Sequence, residues 1–226
     1  MNPIIISIEG NIGSGKSTLL RLLKEKISKW TFLSEPIEEW LKIKDNQDTI
    51  LNLFYQDKKR WSYAFQNMAF LTRTEQLEKN IGQNKIIVTE RSIETDRNVF
   101  SKILYDGKFM NDIEYKTYLK LLEMFGKKNR FNGHIYLKTD VNTSNSRIKK
   151  RSRESESGIE LDYLKKLETY HNVWLENSNS VLILDGNKDF ENNKEEFEIM
   201  LKKIESFALE IFLENVGFDQ ISTKVI

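Results

Sequence analysis

Apolar and β-branched residues gather in five short runs along this chain, with long stretches of helical periodicity between them. The first run, Ile4-Ile5-Ile6 with Ile8, is almost wholly apolar, as a strand buried on both faces of a parallel sheet requires. Four more strand candidates fall at 29–34, 85–89, 133–138 and 180–185. Helical patterns occupy 18–29, 60–79, 112–125, 161–176 and 193–213; in the first of them Leu19, Leu20, Leu22 and Leu23 lie on or near one stripe. Strands alternating with helices predict an α/β fold, a five-stranded parallel sheet flanked by helices on both faces. No internal repeat and no low-complexity linker interrupts the order, so 1–226 is expected to form a single domain.

Composition narrows the setting. A net charge of +1 gives no broad basic field, so neither nucleic acid nor an anionic membrane is an expected partner. Cysteine is absent, which excludes disulfides and thiol chemistry and fits a reducing compartment. No apolar run approaches the ~20 residues of a membrane span. The first strand begins at Ile4, leaving no room for a leader, and a cytoplasmic location is the expectation.

Chemistry enters where the first strand ends. Gly10-Asn11-Ile12-Gly13-Ser14-Gly15-Lys16-Ser17 fits G-x-x-x-x-G-K-[ST], the phosphate-binding loop, and it lies between a strand and a helix as that loop must. Its glycines let successive N–H groups point inward at phosphate oxygens. The helix opening near Thr18 adds its dipole. Lys16 supplies a point charge, and Ser17 a hydroxyl for Mg²⁺. A nucleoside triphosphate is the expected ligand.

Ligands in such sheets collect beyond the carboxyl ends of the strands. The second strand is followed by Glu35, a carboxylate able to take a proton from an acceptor hydroxyl. The third is followed by Glu90, placed to help hold Mg²⁺, and Arg91, placed to meet charge developing on a phosphoryl group. Beyond the fourth, Arg147 and Arg151 share a helix face, with Lys149, Lys150 and Arg153 beside them. These cations form a candidate helical lid over 147–158. A turn after the fifth strand offers Asp189 and Phe190 as candidate contacts to adenine. Two helical faces complete the set. Gln66, Ala69 and Arg73 fall at i, i+3 and i+7, with Ala69 leaving space for a flat ring and the Gln66 amide suited to a base edge. Ser92, Asp96 and Phe100 form the second face, and Asp96, held by Arg73, is expected to stay ionised.

In order along the chain, the phosphate loop, Glu35-Pro36, Trp61-Ser62 with Phe65-Gln66, Glu90-Arg91-Ser92 followed by Asp96-Arg97, and the cationic stretch from Arg147 to Glu156 form a set, extended by Leu161, Tyr163-Leu164 and Trp174. The set resembles the deoxynucleoside kinase family, in its deoxycytidine and deoxyguanosine kinase branch, over residues 3–208. That resemblance implies a P-loop kinase fold and the following roles. Lys16 and the loop N–H groups hold the phosphates of ATP, while Ser17 and Glu90 attend Mg²⁺. Glu35 is the general base for a sugar 5′-hydroxyl and Arg91 positions that oxygen. Arg147, Arg151 and Arg153 are lid cations. Tyr55 and Glu156 clamp the 3′-hydroxyl, and Tyr55 crowds the 2′ position in favour of deoxyribose. Gln66, Arg73 and Asp96 read the base between walls of Ile37, Trp40, Leu51, Phe54, Phe65 and Phe100. The assembly it implies is a homodimer.

Two departures stand out: 41–57 is shorter than in the animal enzymes of this branch, and the tail over 210–226 runs past their usual end. Deoxycytidine or a purine deoxynucleoside is expected as acceptor in preference to thymidine. Two other functions compete. A thymidylate-type nucleoside monophosphate kinase would need a second cationic cradle near Glu35, where the sequence offers Glu38 and Glu39. A nucleotide-dependent regulatory module would leave Gln66, Arg73 and Asp96 unexplained.

Overall fold

The computed structural model describes residues 3–82, 84–126, 130–151 and 158–216. At its centre is β1 (Ile4–Glu9), in a parallel sheet of order β2-β5-β1-β6-β7. Its neighbours are β5 (Ile86–Glu90), with Ile6 opposite Val88, and β6 (Gly133–Lys138), with Ile8 opposite Ile135. The edges are β2 (Thr31–Leu33) and β7 (Val181–Asp185). Alternation along β1 explains its unbroken apolar run. Ile4, Ile6 and Ile8 pack under α1 (Lys16–Lys26) and α10 (Lys194–Val216), where Leu19, Leu23, Ile204 and Ala208 meet them. Ile5 faces the other way, toward Phe70 and Leu77 of α4 (Lys58–Asn80) and Tyr118 and Leu122 of α7 (Asp112–Gly126). Both faces are therefore dry, as a parallel sheet demands.

Most expected elements lie within a few residues of their predicted bounds. β5 runs one residue further than expected, so Glu90 is the last strand residue. α1 begins at Lys16, directly after Gly15, whose φ of 101° suits glycine, and it ends at Lys26 because Ile27 is already extended. The stretch over 41–57 has structure of its own. After α2 (Ile37–Lys42), a small antiparallel pair, β3 (Lys44–Asp45) and β4 (Asp48–Thr49), turns at Asn46 in the left-handed region, which Asn tolerates. The Thr49 hydroxyl then caps α3 (Ile50–Gln56) by accepting from the Asn52 N–H at 3.2 Å.

The helix expected to carry Ser92, Asp96 and Phe100 is interrupted. It consists of α5 (Ile93–Thr95), a π-helical turn (Asp96–Phe100) and α6 (Ser101–Asp106). Its Val99 and Ile103 pack on Ile148 of α8 (Val141–Arg151) and on Leu164 and Leu167 of α9 (Leu161–Leu175). The lid helix thus starts at Val141, earlier than 147. Arg153 and Glu156 lie outside the described residues, as do 217–226 of the tail. Among the described residues no helix is long and apolar enough to cross a membrane.

Candidate active site

The phosphate loop leaves β1 at Gly10, where φ is 144° and a Cβ would lie 2.7 Å from the Leu137 carbonyl oxygen; a side chain here would push the loop off the sheet. Asn11 turns away from the ligand side. Its amide donates to the Leu164 carbonyl of α9 at 2.9 Å, and its Oδ1 accepts the Ile12 N–H at 2.8 Å. Inside the loop, Lys16 Nζ donates to the Asn11 carbonyl at 2.7 Å. Burial, helped by the nearby Arg91, pushes the Lys16 ammonium down to about 7. At the loop's mouth Ser17 Oγ donates to Glu90 Oε1 at 2.7 Å, joining the start of α1 to the end of β5. A hydroxyl and a carboxylate so placed fit Mg²⁺, which takes one or two protein oxygens and completes its shell with phosphate and water. Among the described residues no cluster of three His, Cys, Asp or Glu offers an all-protein metal cage.

A second centre forms around Arg73, which is 8% exposed. Its guanidinium has three acceptors: Asp96 Oδ2 at 3.1 Å, the Glu90 carbonyl at 3.1 Å and Glu35 Oε1 at 2.5 Å. Arg73, expected as a base reader, is thus also a brace for the expected general base. Arg91 joins it, with Nε 3.4 Å from the same Glu35 oxygen, Nη1 donating to the Gly10 carbonyl at 2.9 Å and the guanidinium over the Phe100 ring. Burial alone would raise the Glu35 carboxyl, but Arg73 and then Arg91 outweigh it and hold the group at about 2. Asp96 behaves differently. Burial dominates there, Arg73 opposes it, and the carboxyl rises to about 6. Asp96 is 2% exposed and shares its cation with Glu35, so it is mainly ionised at neutral pH but less firmly than a carboxylate with a cation of its own.

One cavity of about 1440 Å³ connects the two centres. It runs from Gly13, Gly15, Lys16, Ser17 and Thr18, with Ile12 beside them, past Glu90, Arg91 and Glu35. It ends in a slot between Trp40, Phe54, Phe65 and Ala69. Trp40 meets Phe65 edge-on at 5.2 Å, Phe54 stacks on Phe65 at 4.7 Å, and the Trp40 indole N–H is fixed on Thr72 Oγ1 at 2.9 Å. Gln66, 2% exposed, lines the slot with its buried Oε1 lacking a hydrogen-bond partner among the described residues. A buried amide oxygen of this kind suits a hydrogen-bond donor on the edge of a ligand.

The sequence profile of the deoxynucleoside kinase family matches residues 6–209. This chain belongs to the deoxynucleoside kinase family. The kinase is 32% identical to deoxycytidine kinase 1 of Xenopus laevis, over 89% of each chain. It is 33% identical to the mitochondrial deoxyguanosine kinase of Xenopus laevis, over 90% of this chain and 89% of the relative. It is 34% identical to a protein named probable deoxycytidine kinase in fowlpox virus, over 92% of this chain and 89% of the relative. The reaction is phosphoryl transfer from a nucleoside triphosphate to a deoxynucleoside, and neither competing function is favoured.

In this deoxynucleoside kinase, Ile37, Leu51, Tyr55, Phe100, Arg151 and Asp189 also face the cavity, whereas Gly10, Asn11 and Ser14 lie behind it. Arg147 lines it too, but its Nη1 is engaged by the Ser14 carbonyl at 3.1 Å and the Gly186 carbonyl at 2.7 Å. It ties the loop to the turn after β7. Phe190 is 3% exposed and packs in the core beneath Gly15, so it props the loop while its edge faces the cavity. One residue that the sequence reading passed over is Glu9, the last residue of β1, fully buried beside Ser92 and Thr95. The available signal was its position: an acid ending a strand otherwise buried on both faces needs partners.

Proposed function

We propose that this kinase transfers the γ-phosphate of ATP, held with Mg²⁺, to the 5′-hydroxyl of deoxycytidine or a purine deoxynucleoside, with thymidine a poor acceptor. The observation that carries the reading is the buried Gln66–Arg73–Asp96 end of a cavity whose other end is the phosphate loop. A base held there would bring its sugar toward Glu35 and Arg91. The loop N–H groups and Lys16 would grip the donor phosphates; Ser17 and Glu90 would hold Mg²⁺, which neutralises charge on the phosphate oxygens. Glu35, ionised at neutral pH, accepts a hydrogen bond from the 5′-hydroxyl and takes its proton late, once bonding to phosphorus has made that hydroxyl acidic. Such lateness suits a loose phosphoryl transition state. A coupled assay with ATP and Mg²⁺ across the four deoxynucleosides tests the proposal, and phosphorylation of none of them would sink it.

Arg151, at the end of α8, lines the cavity and is proposed to meet charge that peaks in the transition state. Arg151→Ala is expected to lower kcat by about 10²-fold while deoxynucleoside affinity changes little. Equal losses in turnover and affinity, from steady-state kinetics beside titration calorimetry, would instead mark a ground-state anchor.

We also propose a homodimer built on α4 and α7. Leu71, Ile113, Met124 and Phe125 are 56%, 78%, 60% and 48% exposed on these two helices, which pack side by side. Exposed apolar side chains gathered on adjoining helices mark an association surface. Light scattering at micromolar concentration should give twice the chain mass; a monomer would refute the dimer.

A further inference from the structure

We propose that Glu9 is a positioning residue for phosphoryl transfer, holding Arg91 in place through Ser92 and Thr95. The proposal rests on the reading of Arg91 as a group that acts at the reacting oxygens.

The contacts around Glu9 leave no slack. Ser92 Oγ accepts the Thr95 N–H at 3.1 Å, and Thr95 Oγ1 accepts the Ser92 N–H at 3.3 Å, a reciprocal cap on α5. Each hydroxyl then has one proton left, and both donate to Glu9: Ser92 to Oε1 at 2.6 Å and Thr95 to Oε2. Glu9, Ser92 and Thr95 are 0%, 1% and 0% exposed, so water has no access to any of them. A carboxylate offers two acceptors to these two donors. A glutamine would turn an N–H₂ group toward one of them, setting donor against donor.

Arg91 sits directly before this cap with φ at 65°, in the left-handed region, where an L side chain needs support from its surroundings. The support comes from both sides of Glu9. The Arg91 N–H donates to the Ile8 carbonyl at 3.0 Å, and its Nη1 donates to the Gly10 carbonyl at 2.9 Å. Its own carbonyl accepts from Thr89 Oγ1 at 2.6 Å. Ile8, Glu9 and Gly10 thus grip Arg91, the cap after it, and the start of the phosphate loop as one unit. The same end of β1 that shapes the donor site therefore sets the reach of Arg91 toward Glu35, 3.4 Å away.

The test is a double-mutant cycle on the full chain: wild type, Glu9→Gln, Arg91→Ala and the double variant, assayed with ATP, Mg²⁺ and deoxycytidine. Glu9→Gln is expected to lower kcat by about 10²-fold through misplacement of Arg91, with KM for both substrates within a few-fold of wild type. In the Arg91→Ala background the same change is expected to cost no further kcat, because its target is gone. A residue that only stabilises the fold would give losses that multiply, and that outcome, or wild-type kcat in Glu9→Gln, overturns the proposal. If Glu9→Gln does not fold, Thr95→Val carries the cycle instead; it removes one donor of similar shape and should give a smaller loss that likewise vanishes without Arg91. A wild-type chain inactive on all four deoxynucleosides overturns the functional reading and this proposal with it. An active wild type with multiplying losses overturns Glu9 alone.

Discussion

Glu35→Gln is expected to lower kcat by roughly 10²–10⁴-fold while deoxynucleoside affinity stays within a few-fold of wild type. The amide keeps an oxygen to accept the 5′-hydroxyl, so the substrate is still oriented, but it cannot take the proton. Two cations also lose the anion they share. Arg73 retains Asp96 and the Glu90 carbonyl, and Arg91 retains the Gly10 carbonyl, so neither is stranded and the fold should survive. Steady-state kinetics beside titration calorimetry separates turnover from binding. Wild-type turnover in this variant would remove Glu35 from the reaction.

Choice of base is the second large effect. An ionised Asp96 only accepts hydrogen bonds. The 4-amino group of cytosine and the 6-amino group of adenine can satisfy it, whereas the 4-carbonyl of thymine sets acceptor against acceptor. A rigid site mispaired in this way discriminates by about 10⁴–10⁵-fold. Burial has raised Asp96 to about 6, so it gains its proton as pH falls through that value and becomes a donor. Arg73, Glu35, Arg91 and Glu9 surround it; Arg73 and Arg91 oppose protonation and the two acids favour it. The ratio of kcat/KM for thymidine to that for deoxycytidine should therefore climb between pH 8 and pH 5.5, by about 10²-fold given tenfold per pH unit in the protonated fraction. A ratio flat across this range would mean that Asp96 does not face the base. Arg73→Met with Asp96→Ala should also shift preference toward thymidine. Because Arg73 braces Glu35, the double variant should lose turnover with every acceptor as well. Removing Asp96 alone leaves Arg73 with Glu35 and the Glu90 carbonyl, whereas removing Arg73 alone leaves two buried carboxylates short of a cation, at about 3–5 kcal/mol.

The parts of this molecule that were legible in its sequence are those governed by local rules. The phosphate loop is a run of backbone angles written in glycines, and it lies between strand and helix as its spacing requires. The strand ends carrying Glu35, Glu90 and Arg91 converge because parallel strands share a direction. What was not legible depends on distance through space. Arg73 was recognised by its helical face, yet its hold on Glu35, 38 residues away, follows from where α4 crosses the sheet edge. For Asp96 the sequence showed the cation but not the loss of water that lifts its carboxyl to about 6. Glu9 escaped notice because both of its partners lie more than 80 residues on. The lid expectations at Arg153 and Glu156 fall outside the described residues.

The π-helical turn at Asp96–Phe100 takes up one residue more than an α-helical path would use. Five residues at the wider π pitch turn through nearly the same angle as four at the α pitch, so the side chains beyond the turn keep almost the register of an uninterrupted helix. Removing one residue from 97–99 would let Ile93–Asp106 wind as one regular helix, with Ile103 and Leu104, now 5% and 0% exposed, staying close to their places in the core. The residues of the turn itself would be displaced: Asp96 from Arg73 and Phe100 from the Arg91 guanidinium. The extra residue thus serves the site rather than the core.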